Sequence, residues 1–263
     1  ERMSLLDNLD GEIKEEKPFA GKDDSTAEHR LDKTIFEYQE FQKLSGSNTE
    51  SLYKDCVREG LSLTVTKEDL NAFFRVYKDY ELNDPRLSIF VSMLVQMAYN
   101  NGENNFDLPV LTDKKNGSVA HCYKHLKGNH DKLIKVTIRD DNPHCYCSSI
   151  QNGDITFHGQ IRGSCASSCT DSKITFMRNT GPGSGLELNN CDVYIFGNYH
   201  PLDLVTSIKT RFYSPHEDTL KSLSNAMSGY ITSNRLFLLD EEDNAQPYEP
   251  QSVFVVSRGG GIR

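Results

Sequence analysis

Tryptophan is absent from the 263 residues, so a site that stacks sugar rings would have to be built from tyrosine and phenylalanine. Long apolar runs are missing too. The longest, near Ile89–Val95, is broken by Ser88 and Ser92 and is far too short to span a bilayer. The opening Glu1-Arg2-Met3-Ser4 has no apolar core of the signal-peptide kind. The seven cysteines are an odd number without a secretion signal, which does not describe a disulfide framework. Together these features read as a cytoplasmic protein with no membrane attachment. Positive charge is also in short supply. With 29 Lys and Arg against 38 Asp and Glu, a net charge of −9 argues against nonspecific nucleic-acid binding by the whole surface. No nucleophile elbow, paired HExxH motif or dinucleotide fingerprint occurs. Gly181-Pro182-Gly183-Ser184-Gly185 shares only its glycine content with a phosphate-binding loop and reads as a broad corner.

What the chain does have is a repeat. Lys135-Val136-Thr137-Ile138, Asp154-Ile155-Thr156-Phe157, Lys173-Ile174-Thr175-Phe176 and Asp192-Val193-Tyr194-Ile195 recur every 19 residues, and Arg211-Phe212-Tyr213-Ser214 follows as a weaker fifth copy. A fixed period near 20 residues is the mark of a solenoid in which each coil stacks on the next. Apolar residues alternate within each copy, which is the pattern of a strand with one buried face. Ile150, Cys169 and Leu188 form a second apolar column upstream of the strands, and the glycines between permit tight corners. The first residue of each copy reads Lys135, Asp154, Lys173, Asp192, Arg211, so stacking in register would build a ladder of alternating charge.

The remainder divides by composition. Residues 1–28 hold nine acids against four bases and read as a flexible acidic arm. Residues 29–105 read as a helical bundle. Leu31, Ile35, Tyr38, Phe41 and Leu44 have helical spacing, and Leu52, Cys56 and Val57 suggest a short second helix. Thr66-Lys67-Glu68-Asp69 starts another, with the Thr66 hydroxyl placed to accept from the Asp69 amide, and Asp84-Pro85 opens the next. Residues 106–134 form a junction, 135–240 the solenoid, and 241–263 a last strand near Val253–Val256 with a tail. Ser214-Pro215-His216-Glu217-Asp218 begins a helix that caps the solenoid, with Leu220, Leu223, Ala226 and Met227 on one face. The expected fold is therefore α+β: an N-terminal helical bundle followed by a short right-handed parallel β-helix with a helical cap.

Asn152-Gly153-Asp154-Ile155-Thr156-Phe157-His158-Gly159 and Asn190-Cys191-Asp192-Val193-Tyr194-Ile195-Phe196-Gly197-Asn198 resemble coils of right-handed β-helices. The similarity is to the type found in the C-terminal domain of glutamate synthase large subunits and in one of the chains of formylmethanofuran dehydrogenase. It covers the repeat alone and lacks the full glycine-rich signature of that family. Because those domains are mainly structural, the resemblance implies a scaffold rather than a catalyst.

Three constellations could carry chemistry. Cys145 and Cys147 lie one coil from Cys165 and Cys169, with Cys122 or His121 in the coil before. Those four thiols are the candidate ligands of a structural zinc, and small thiols buried in a solenoid column are the plainer reading. Asp171, Asp192 and His158 are the candidate catalytic groups of a polysaccharide-acting β-helix enzyme, which needs paired carboxylates. The charge ladder already accounts for Asp192, and aspartate is ordinary in a turn such as that of Asp171. Lys114–Lys135 contains six lysines and three histidines against one acid, a candidate phosphate or nucleic-acid contact without the aromatics such sites use. The leading expectation is a noncatalytic binding or assembly protein with no cofactor, recruiting a protein partner through its helical part or acidic arm, or associating with itself.

Overall fold

The structure is a computed structural model that describes residues 32–36, 39, 64–77, 85–113, 117–118, 122–200, 207–227 and 233–248. The acidic arm, most of the first expected helix, the second expected helix, and the C-terminal strand and tail lie outside the described residues.

Helix α1 (Lys67–Tyr77) starts where its capping residues dictate. The Asp69 amide donates to Thr66 Oγ1 at 3.3 Å, and the Thr66 amide donates back to Asp69 Oδ2 at 2.9 Å. Both satisfy backbone donors that a helix start leaves without an intrahelical partner. Leu70, Phe73, Phe74 and Tyr77 make the buried face. Helix α2 (Pro85–Asn100) is more deeply enclosed, with Leu87, Phe90, Val91, Leu94 and Val95 at 1% exposure or less. Its buried Ser92 hydroxyl donates to the Ser88 carbonyl. Gly102, at φ +112°, ends the helix in a conformation that glycine adopts without a Cβ clash.

The remaining elements are β1 (Asn105–Leu108), the small hairpin β2 (Thr112–Asp113) and β3 (Gly117–Ser118), then β4 (Ile134–Ile138), β5 (Gly153–Phe157), β6 (Lys173–Phe176), β7 (Asp192–Ile195), β8 (Arg211–Ser214), α3 (Glu217–Met227), β9 (Arg235–Leu239) and β10 (Ala245–Pro247). All strands but the hairpin join one eight-stranded open sheet in the order β1-β4-β5-β6-β7-β8-β9-β10. Every pairing is parallel except β9 with β10. The stretch read as a junction therefore holds a strand of its own, since β1 pairs with β4.

The register follows the repeat. Lys135, Asp154, Lys173, Asp192 and Arg211 are successive partners, so the alternating charge ladder stands, and Arg235 follows Arg211 with a like charge. Inward, Val136, Ile155, Ile174, Val193 and Phe212 stack in one column and Ile138, Phe157, Phe176 and Ile195 in another, all at 1% exposure or less. A second set of parallel bridges runs Lys127, Gln151, Thr170, Asn189, Ile208 on the far side of each unit.

Between these two sides the backbone turns in an alternating pattern. Cys145, Cys147 and Ser149 have φ values of 57°, 56° and 58°; Ser164, Ala166 and Ser168, one unit on, have 50°, 52° and 56°. The Ser164 amide donates forward to Pro182 O, the Ala166 amide back to Tyr146 O, and the Ser168 amide forward to Leu186 O. Alternating handedness thus aims successive amides at the units above and below, which satisfies backbone groups that burial would otherwise strand. Two glycines serve close approach instead. A Cβ on Gly159 would lie 2.2 Å from Asp140 O, and one on Gly197 2.3 Å from Arg178 C.

Both ends of the stack are covered by helices. At the far end α3 packs on β8 and β9, with Leu220 and Leu223 fully buried. At the near end α2 offers side chains in place of a missing neighbouring unit. Gln96 accepts from the Lys127 amide at 2.7 Å and donates to its carbonyl at 3.1 Å, as a paired strand would. Ser92 accepts from the Lys124 amide at 3.0 Å, and Tyr99 accepts from that of Asn129 at 2.7 Å.

Candidate functional site

The thiols come first, because the repeat brings them together. Cys147, Cys165 and Cys169 are buried with Cys122 and Cys191, whereas Cys145 is half-exposed. Burial pushes the thiols of Cys122, Cys165 and Cys169 up to about 12 and that of Cys191 to about 11. They are protonated donors at neutral pH, and their geometry shows what they donate to. Cys169 Sγ points at Cys147 O (3.3 Å) and Cys191 Sγ at Cys169 O and Asn189 O (both 3.4 Å). Ser172, one unit before Cys191, makes the same two contacts, to Ile150 O at 3.4 Å and Thr170 O at 2.7 Å. Thiol and hydroxyl are interchangeable here as small donors on the inside of a corner. Among the described residues no group of three or more His, Cys, Asp or Glu is arranged to hold a metal ion.

The carboxylates proposed for catalysis are spoken for by neighbours. Asp192, on β7, takes Arg211 Nη2 on Oδ2 at 2.7 Å and both Arg211 Nε and the Tyr213 hydroxyl on Oδ1. Asp171 sits at a corner with φ 49° and accepts from Asn190 Nδ2 at 2.6 Å. His158 follows β5 and is half-buried, its amide donating to Ile138 O. His158 and Asp171 lie at opposite ends of the segment between β5 and β6, and Asp192 opens β7.

The basic stretch is likewise dispersed. Lys135 stands on the ladder beside Asp154, and Lys132 donates to the Gly102 carbonyl and lies over the Tyr99 ring. Lys124 is half-buried, and burial lowers its pKa. Lys114 and His121 lie outside the described residues.

Two features were not singled out from the sequence. The first is an aromatic ladder on the outward face of the sheet. Thr137, Thr156 and Thr175 occupy one outward column, which then becomes Tyr194, Tyr213 and Phe237. Tyr194 and Tyr213 stack at 4.6 Å with planes 8° apart, and Tyr213 and Phe237 at 4.8 Å and 16°. Lys173 Nζ covers the open face of Tyr194 at 5.0 Å from the ring centre. The parallel spacing of strands brings like rings into contact. Burial and the nearby Asp192 charge push the Tyr213 phenol up to about 12. Met177, just past β6, is exposed at 40%. Period-2 patterning marked Tyr194 and Tyr213 as outward, but Phe237 entered the column only through β9, which lies beyond the regular spacing.

The second feature is a cleft of about 400 Å³ where α1 passes the C-terminal ends of β1 and β4. Its far wall needs β1, which lies outside the repeat and so had no signal in it.

No protein-family model matches the chain, nor does any curated protein or solved structure. No helix among the described residues is long and apolar enough to cross a membrane.

Proposed function

We propose that the protein is a noncatalytic binding or assembly scaffold whose parallel sheet and far-side bridges are two sides of a right-handed β-helix. The hand follows from the rule that crossovers between parallel strands of one sheet turn right-handed almost without exception. The observation that carries the functional reading is the aromatic ladder. Three stacked rings, half-buried and bordered by Lys173 and Arg211, stand on a face made rigid by strand pairing on both sides. Large flat aromatics at low conformational cost are what protein interfaces use as anchors, and a protein partner is the occupant this face suits. The stack offers no open ring face to a sugar, because Lys173 covers Tyr194 at one end and β10 brings Pro247 beside Phe237 at the other. That weighs against the polysaccharide alternative, as does the Asp192–Arg211 pair.

The test is capture from lysate by the intact protein and by a Tyr213→Glu, Phe237→Glu double variant with unchanged circular dichroism. A protein held by the first and lost by the second supports the reading. Identical capture by both, or glycan turnover that disappears in a folded Asp171→Asn, Asp192→Asn variant, overturns it.

A further inference from the structure

The cleft beside α1 has the chemistry of a small binding site, and it stands apart from the aromatic ladder. Asn71 and Arg75 lie one helical turn apart on the cleft side of α1, with Phe74 between them. The opposite wall carries Asp107, Arg139 and Asp140. The two carboxylates are already engaged. Asp107 Oδ2 accepts from Arg139 Nε at 2.7 Å, and Asp140 Oδ2 accepts from the Val110 amide at 2.9 Å. Arg139 is thereby held in place, with its terminal nitrogens turned to no partner among the described residues. Arg75 is exposed and has no hydrogen-bond or ion-pair partner among the described residues. Phe74 and Leu108, both buried, give the cleft an apolar floor.

We propose that this cleft binds a monocarboxylate carrying an apolar body, with the carboxylate held by Arg75 and Arg139 and the body resting on Phe74 and Leu108. A guanidinium presents paired donors in a plane that matches two carboxylate oxygens. Of the four charges that line the cleft, Asp107 is taken up by Arg139 and Asp140 by the Val110 amide, so the guanidinium of Arg75 is the one left to match a single negative charge. A dianion such as phosphate meets Asp107 and Asp140 at close range and is disfavoured. The volume lies at the small end of ligand pockets. The carboxylate can come from a free organic acid or from the C-terminus of a peptide, and the assay separates the two.

Hydrocinnamate and the peptide acetyl-Gly-Phe with a free C-terminus are titrated into the full chain by calorimetry, alongside hydrocinnamide, the peptide amide and inorganic phosphate. Either acid should bind while its amide and phosphate do not. Hydrocinnamate binding points to a free acid, and binding of the peptide alone points to a chain terminus. Arg75→Gln, at an exposed position that leaves the fold intact, should weaken binding by about tenfold or more, the loss of one charge-assisted pair. Arg139→Gln should do the same. Absence of binding by both acids up to about 10 mM, equal binding of acid and amide, competition by phosphate, or an unchanged affinity in Arg75→Gln overturns the assignment.

Discussion

On β5, β6 and β7 the inward residues are Ile155, Ile174 and Val193, then Phe157, Phe176 and Ile195, none with measurable exposure. On the outward side of the same strands stand Asp154, Lys173 and Asp192, then Thr156, Thr175 and Tyr194. The inner columns keep to a narrow range of apolar shapes, whereas the outer ones change sign, polarity and size from unit to unit. Inside, each side chain is packed by its counterparts above and below, so a misfit disturbs three layers at once. Outside, a neighbour need only be tolerable, and water relieves what is not. Chemistry that differs along the stack is therefore found on the outer face, and the aromatic ladder and the cleft both lie outside the inner columns.

The largest test of this contrast is Ile155→Asp. An unpaired charge in the inner column should abolish cooperative folding, seen as loss of the thermal transition by circular dichroism. Gly159→Ala places a Cβ against the Asp140 backbone, which cannot rotate away as a side chain would. It should cost about 2–3 kcal/mol in urea unfolding, as overpacking does. Gln96→Ala removes the clamp on Lys127 and strands two backbone groups at the near end of the stack. A loss of about 1–3 kcal/mol is expected, with hydrogen exchange speeding first at Lys127 and Gly128. Lys209→Gly relieves a left-handed conformation at an exposed corner, where φ is 52°. It should stabilise by about 1 kcal/mol, visible as a small rise in melting temperature. Asp192→Asn belongs to the outer face and should change stability by less than about 1 kcal/mol, the difference shrinking as salt is added. A cost as large as that of Gly159→Ala would remove the distinction between the two sides.

Much of the repeat was legible because two periods coincide. Alternation assigns Ile155 and Phe157 to one side of a strand, and the 19-residue interval places Ile174 and Phe176 directly on them. The helix start at Thr66 was readable from local capping chemistry, and the segment Ser214–Asp218 marked that of α3. The backbone conformation of most corners was not readable. Their left-handed residues include Cys145, Cys147, Ala166 and Glu187, types that carry no turn signal, and the conformation arises because amides must reach units on both sides. The cysteine spacing looked like ligand spacing because thiols on neighbouring units come close, but each reaches a backbone carbonyl 22 residues back, Cys169 to Cys147 and Cys191 to Cys169.

What the sequence determined by itself was the strand register, the inner columns, the charge ladder and the capping helix α3, since each rests on residues a fixed interval apart or within one helical turn. The tertiary structure alone decided the place of β1, the clamp of Gln96 on Lys127, the stacking of Phe237 on Tyr213, and the cleft that Arg75 and Arg139 both line. Those contacts join segments at irregular separations, across 31 residues for Gln96 and Lys127, and only the packed chain brings them within reach of one another.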